Sequence, residues 1–366
     1  MDGNDHSTRN LYRETIPSVA SIYVTADDHG RRRGAGSGFV YDAEHVVTNA
    51  HVVGDATTVD LRFAEGDWRT GRVVGTDAYT DLAVVAVADL PAYAAPLSLA
   101  DEPPVPGAPV AALGNPMGLD GSITTGIVSG ANRSMPVGSF AIPDTVQTDA
   151  PIDPGNSGGP LVRWADDVPA PDDDGTDGAG DEGRAPGVEV VGVNRARAGD
   201  NIGFAVSAAI VAAVVPSLIA EGRHRHPYLR ARTLDVSPSV AEANGLEEPR
   251  GVLIVDAPDD PASGVAGCTG TRTVRGQELP VGGDVLVAVD GVPTDSGEAL
   301  MRHLLLETAP GDAVELELLR DGRRLTERLT LAERPPPGEG DDPGTRRRGR
   351  RRRRRDGRGG TNIPVR

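Results

Sequence analysis

Residues 153–161 read Asp-Pro-Gly-Asn-Ser-Gly-Gly-Pro-Leu (DPGNSGGPL), and Gly155 to Gly159 within them fit the pattern G-x-S-x-G. Three readings compete. The pattern marks the strained nucleophile elbow of α/β-hydrolases; it also fits a loop presenting a serine between two strands. It can equally be a chance turn in a chain with 47 Gly and 30 Pro. An elbow needs an apolar strand before the serine and a helix after it. Here the serine follows DAPIDPGN, whose two prolines forbid an interior strand. It is followed by Gly158, Gly159 and Pro160, poor helix material, and then by the strand-like LVRW. The elbow's acid and histidine also follow the serine in the chain. After Ser157 the only histidines are His224 and His226, in a polar connector, and His303, on an expected helix. The elbow reading is poor.

The order His, Asp, Ser is better served. His51 lies in VVTNAHVV, where an apolar strand ends and a turn exposes the imidazole. Asp81 lies in YTDLAVVAV, at the mouth of a strongly apolar strand, and Ser157 follows 76 residues later. A serine hydroxyl is a weak nucleophile that needs a base within hydrogen-bond reach, and the base needs a third group to orient it. Taken singly, a Gly-flanked Ser is usually a turn and a lone His usually structural. Strand ends are where separate loops converge on one cleft, so the three together point to nucleophilic catalysis.

Around these residues the chain offers short β-type runs separated by Gly, Pro, Asp and Asn from about residue 17 to 162, among them SVASIYVTA, GSGFVYD, LAVVAVA and PVAALG. Such spacing predicts an all-β barrel or sandwich. Residues 165–187 carry almost no large apolar side chain and read as a solvated acidic loop. Strands resume in VEVVGVNRA and NIGFAV, and Ser207 reads as the N-cap of an apolar helix ending near Gly222. The connector GRHRHP reads as solvated and leads to a second β-rich unit over 228–333. That unit has a hairpin at Asp321-Gly322 and one helix over Glu298–Glu307. The tail from Pro335 reads as disordered and holds an arginine tract over Arg346–Arg355.

The formal net charge is −17, yet residues 346–366 carry eleven Arg against one Asp, which leaves −27 on the other 345 residues. Lys is absent. An acidic body of this kind predicts adaptation to high salt; a coding bias replacing Lys with Arg is the plainer explanation. The Arg tract has the charge to bind phosphate backbones, but it can equally fold back on the acidic body, so a nucleic-acid partner is not expected. The lone Cys268 excludes an intrachain disulfide. His224, His226 and Cys268 are not read as a metal site, and no cofactor is expected. No stretch reads as a signal peptide or a transmembrane helix, since Ala208–Ala220 is too short and is interrupted by Pro216. The chain as written therefore reads as soluble and cytoplasmic.

The segments TNAHVV, TDLAVV, GNPMGL, GIVSG, QTDAPIDPGNSGGPL and NIGFAV, in this order, resemble the HtrA (DegP/Deg) family of trypsin-like serine proteases. GVLIVDAPDDPAS and GGDVLVAVDGVP resemble that family's PDZ domain. The resemblance covers about residues 10–333. It implies a mainly β fold: a chymotrypsin-like pair of perpendicular Greek-key β-barrels over 10–222, then a PDZ domain over 228–333, with 335–366 as tail. It implies His51 as general base, Asp81 as its orienter and Ser157 as nucleophile. Backbone N–H groups of Gly155, Asn156 and Ser157 would form the oxyanion hole. Zymogen-type relatives carry Asp where Asn156 stands, and Asn has no charge to pair with a new N-terminus. The specificity pocket is expected between Ala150, Pro151 and Ile152 and the strand Val191, Gly192, Val193 and Asn194. These are mainly apolar, so cleavage after small or medium aliphatic residues such as Val or Ala is expected; Asp153, where the family usually has Asn, departs from the pattern. Tyr228, Leu229, Arg230 and Ala231 match the PDZ carboxylate loop, with Arg230 in the place of the usual Gly. Thr125–Thr145 matches a loop that relays PDZ occupancy, with Arg133 as a candidate relay residue. The implied partners are unfolded or misfolded polypeptides, peptide C-termini and a homo-oligomer, trimeric in relatives. A mainly non-proteolytic chaperone or peptide-binding scaffold is the alternative.

Overall fold

Runs such as LAVVAV have no polar alternation, because these strands bury both faces. A strand's side chains point alternately to opposite sides. Val46 and Val85 accordingly join one core cluster, and their neighbours Val47 and Val84 another. The computed structural model describes residues 8–25, 32–115, 121–137, 140–164, 187–197, 202–258 and 263–337. The acidic stretch 165–187, except Gly187, and the arginine tract lie outside them.

Helix α1 (Thr8–Thr15), with Leu11 buried, precedes six strands: β1 (Val19–Thr25), β2 (Arg32–Val40), β3 (His45–Asn49), β4 (Thr58–Arg62), β5 (Trp68–Asp77) and β6 (Leu82–Ala86). They close into a barrel in the order β1-β2-β3-β6-β5-β4, with the helical turn α2 (Ala50–Val53) after β3. Next come β7 (Ser98–Leu99), β8 (Pro109–Gly114), β9 (Ser122–Val137), β10 (Phe140–Thr148), β11 (Pro160–Trp164), β12 (Val188–Arg197) and β13 (Gly203–Ser207). Their sheet order is β11-β8-β9-β10-β13-β12-β7, and an added β11–β12 pairing closes six of them into a ring. The first barrel is filled by Ile22, Val40, Leu61, Phe63 and Val85 and the second by smaller groups such as Ala112, Val128, Val146 and Val191. A third cluster forms the seam between the barrels, with Phe39, Val47 and Leu82 from one and Leu113, Val190 and Val193 from the other.

Helix α3 (Ala208–Glu221) seals the seam with Ile210, Val214 and Leu218. As expected, Ser207 caps it, its hydroxyl accepting from Ile210 N, and Gly222 ends it in the left-handed region at φ 76°. Helix and barrel approach closely at Gly75, where a Cβ would lie 2.5 Å from Leu218 O.

The second unit opens with β14 (Pro227–Tyr228), β15 (Arg232–Asp235), α4 (Pro238–Asn244) and β16 (Val252–Asp256). The hairpin β17 (Gly270–Val274) and β18 (Gln277–Val281) follows, then β19 (Val285–Val289), β20 (Val292–Pro293) and α5 (Gly297–Glu307). The unit ends with β21 (Ala313–Arg320), β22 (Arg323–Thr330) and β23 (Ala332–Glu333). Its main sheet runs β15-β16-β19-β21-β22, with β20 on β19. Leu300 and Leu304 of α5 join the cluster holding Val252 and Ile254, whereas Val240 and Ala241 of α4 join the one holding Leu253. The two helices therefore cover opposite faces. Helix α4 adds to the single helix the sequence predicted here: Ser237 caps it, Pro238 occupies the first turn and Gly245 ends it. The expected turn at Asp321-Gly322 has both residues at positive φ, which suits a two-residue hairpin.

The connector is solvated only in part: Gly222, Arg223 and Arg225 are exposed, but its two histidines are engaged, contrary to expectation. His226 is buried and its Nε2 lies 2.9 Å from Asp77 Oδ1; His224 Nδ1 lies 2.8 Å from Ser217 Oγ. The Tyr79 hydroxyl donates to Pro335 O at 2.7 Å, and the Arg334 guanidinium stacks 4.0 Å over the Tyr79 ring. On α5, Arg302 Nε reaches the buried Asp144 at 2.8 Å, and Leu305 enters the seam cluster. These groups pin the second unit to both barrels.

Burial pushes the Asp77 carboxyl up, but hydrogen bonds and charge from His226, with bonds from Thr80 and Tyr79, outweigh it and hold Asp77 below the ordinary carboxylate range. The folded state thus takes up this proton less readily than the unfolded chain. The resulting stability is complete above the unfolded value, about pH 4, and is lost as pH falls through the lower folded value. Asp77→Asn should flatten the acid slope of stability below about pH 4 relative to wild type, read from urea unfolding at stepped pH.

Candidate active site at the barrel seam

Strand β3 ends at Asn49, and α2 carries the chain through one helical turn. Val52 and Val53 are buried in the first barrel, which leaves His51 on the outer side with its side chain 45% exposed. Asp81 sits at the start of β6 in the left-handed region, φ 59°, a conformation Asp tolerates better than most residues. Its side chain is only 7% exposed. Its carboxylate accepts from His51 N at Oδ1 (2.9 Å) and faces His51 Nδ1 at Oδ2 (2.7 Å). Its carbonyl accepts from Ala50 N and from Asn49 Nδ2. With Nδ1–H directed at a carboxylate, the imidazole presents Nε2 as the acceptor. Asp77 in turn accepts from the amides of Tyr79 and Thr80, which fixes the turn leading to Asp81.

Ser157 comes from the other barrel, on the turn before β11. Two residues of this turn lie at positive φ, Gly155 at 111° and Gly158 at 85°. A Cβ on Gly158 would lie 2.1 Å from Ser37 O, so only glycine fits there. Ser37 of β2 ties the turn across the seam: its amide donates to Ser157 O (2.8 Å) and its hydroxyl to Gly155 O (2.6 Å). That hydroxyl accepts from Asn115 N at 2.8 Å. From β12, Asn194 O accepts from Gly158 N and Asn194 N donates to Gly159 O, both at 2.8 Å. The Ser157 hydroxyl donates its single proton to Arg195 O at 2.9 Å, so in this arrangement it is not donating to His51. The Arg195 side chain folds back so that Nε lies 2.8 Å from Asp81 Oδ2. Ser157, Arg195, Asp81 and His51 thus form one continuous polar chain.

Of the three expected oxyanion donors, Asn156 drops out, because its amide donates to Asp153 O at 3.0 Å. The Gly155 and Ser157 amides meet no acceptor among the described residues. The Asn156 side chain is buried and accepts from Ser122 Oγ at 3.1 Å, a neutral contact in keeping with its lack of charge. The expected pocket segments behave as framework. Ala150, Ile152 and Val191 join the core of the second barrel, and Val193 joins the seam. Asn194 Nδ2 donates to the carbonyls of Leu113 and Pro160, Gly192 pairs with Ser207 of β13, and Pro151 and Asp153 are exposed. His45 pairs with Asp42. Arg230 is exposed at φ 56°, with Leu229 buried beside it. Arg133 lies near Glu298 of α5, whose carboxyl is pushed up by burial against the pull of Arg133 and a Ser134 hydrogen bond.

Sequence reasoning missed Ser37 and Arg195. Ser37 carried a faint signal in the glycines flanking it; Arg195 carried none, since its role depends on a carboxylate 114 residues away.

A fold of two six-stranded rings with His, Asp and Ser at their seam defines a trypsin-like serine peptidase, and the model of the trypsin-like peptidase domain matches residues 36–168. Protease Do-like 1, chloroplastic, of Arabidopsis thaliana is 32% identical over 93% of this chain and 74% of its own length. The putative serine protease HhoA of Synechocystis is 35% identical over 83% of this chain and 72% of its own. A probable periplasmic serine endoprotease DegP-like of Halomonas elongata is 34% identical over 83% of this chain, which spans 57% of that relative. Among solved structures, the HtrA-type protease AlgW with a decapeptide superposes with a TM-score of 0.67 at 28% identity, covering 90% of this chain and all of that one. The chain belongs to the HtrA/DegP family of trypsin-like serine proteases, and it is a serine endopeptidase.

Ser37→Ala leaves Gly155 O and Asn115 N without their partner; each buried group so orphaned costs about 1–3 kcal/mol. We expect a loss of about 2 kcal/mol in chemical denaturation together with a fall in kcat, since the Ser157 turn loses its side-chain tie to the first barrel and keeps only the backbone one.

Proposed function

We propose that His51, Asp81 and Ser157 are the catalytic triad of an endopeptidase acting on unfolded or damaged polypeptides. The observation that carries this is the buried Asp81 carboxylate held 2.7 Å from His51 Nδ1, which fixes the imidazole tautomer a base needs. For reaction, the Ser157 hydroxyl turns from Arg195 O to His51 Nε2. Oγ attacks the scissile carbonyl as Nε2 takes its proton, and Asp81 stabilises the imidazolium. The Gly155 and Ser157 amides are the donors available to the oxyanion. Collapse of the tetrahedral intermediate breaks the C–N bond while Nε2–H protonates the leaving amine. Water, deprotonated by the same nitrogen, then hydrolyses the acyl-enzyme.

We read the second unit as a PDZ domain. Strand β15 pairs only with β16 among the described residues, which leaves an edge for an added peptide strand, and Leu229–Ala231 leads into it. Solved relatives hold a decapeptide or a tripeptide, in keeping with peptide capture. The contact of α5 with Arg133 and Ser134 supports a relay between the units. A trimer and salt adaptation are parts of the same reading, carried by family resemblance and by the acidic body. The relatives' names, chloroplastic and periplasmic, weigh against the cytoplasmic expectation.

Cleavage of fluorescein-labelled casein should fall by about 10⁴-fold or more in Ser157→Ala, as it does when a triad member is lost. Protection of substrate without cleavage by wild type would instead favour the holding chaperone. Peptides with a free apolar C-terminus should bind in calorimetry and their C-terminal amides should not. Arg230→Gly should tighten binding, because it removes a side chain from the loop and lets the backbone N–H groups approach the carboxylate more closely.

A further inference from the structure

Arg195 makes two contacts that both oppose the chemistry. Its carbonyl holds the Ser157 hydroxyl at 2.9 Å, and its guanidinium Nε lies 2.8 Å from Asp81 Oδ2, the same oxygen that His51 Nδ1 faces at 2.7 Å. The guanidinium is largely buried, and its Nη1 contacts Met135 Sδ at 3.6 Å, so it is anchored between the barrels. We propose that Arg195 is a positioning residue that restrains the triad by placing a permanent positive charge on the carboxylate that must stabilise the His51 imidazolium. The inference rests on the triad assignment above.

The reasoning is electrostatic. A hydrogen-bond donor beside Asp81 satisfies a buried acceptor whether the donor is charged or neutral. A charged donor also offsets the negative charge and repels the imidazolium that forms as Ser157 loses its proton. The ground state has a neutral imidazole and feels this repulsion little. The charge therefore raises the barrier to chemistry and leaves peptide binding unaffected, so it acts on kcat and not on KM. The main-chain carbonyl remains in every variant, so side-chain substitution isolates the charge.

The test uses the full chain, an internally quenched peptide with valine before the scissile bond, and titration of competent sites with a fluorophosphonate. Arg195→Gln keeps an N–H donor without the charge; Arg195→Thr is a second neutral variant should Gln not fold. Per titrated site, either variant should raise kcat about ten-fold with KM within two-fold of wild type, the scale of a unit charge removed a few ångströms away in a partly screened site. Arg195→Lys, which restores the charge, should stay at least five-fold below Arg195→Gln. Unchanged or lower kcat in the neutral variants, or Lys matching Gln, overturns the proposal. Ser157→Ala run in parallel separates the two readings. Cleavage surviving in that variant sinks the triad assignment and this proposal with it. Loss of cleavage there, without a gain in Arg195→Gln, sinks this proposal alone.

Discussion

A carboxylate withdrawn from water must be given partners, and Asp81 organises its surroundings around that need. Its two oxygens take the amide and ring nitrogen of His51 and the guanidinium of Arg195. Its carbonyl takes Ala50 and Asn49. The left-handed turn that aims it is fixed by a second buried carboxylate, Asp77, which in turn takes His226 from the connector. An unpaired buried charge costs several kcal/mol, so each link holds the next in place.

Ser157 reaches His51 and Asp81, the proposed acid–base pair, from another barrel, so the geometry depends on the seam. Strands buried on both faces give the seam its own layer of Val, Leu and Phe, backed on either side by the separate interior of each barrel. Ser37 and Asn194 add directional bonds that a hydrophobic layer cannot supply. One anchors the serine turn to β2 and the other anchors it to β12.

Much of the fold was legible because local chemistry carried it. The Pro and Gly of DPGNSGGPL excluded an elbow, apolar runs marked the strands, and Ser207 and Gly222 bounded α3 as read. Helix α4 escaped because its seven residues, with only Val240, Ala241 and Ala243 buried, give a weak apolar period. The pairing of His51 with Asp81 followed from strand-end placement. The contacts of Ser37, Arg195 and His226 did not, because each depends on a distant partner brought close only when the barrels pack together or the connector docks on them. Asn156 was read correctly as uncharged and wrongly as an amide donor, since its N–H is used by the turn itself.

The buried His226 gives the connector a standing it would lack as a tether. With Arg334 stacked on Tyr79 and Pro335 accepting from its hydroxyl, both chain ends of the second unit meet on the Asp77–Asp81 turn. The two barrels cut away after Gly222 would lose all three contacts, opening Asp77 and Tyr79 to water four and two residues before Asp81. The second unit is therefore part of the wall behind the turn that carries Asp81, and removing it alters the setting of the proposed triad.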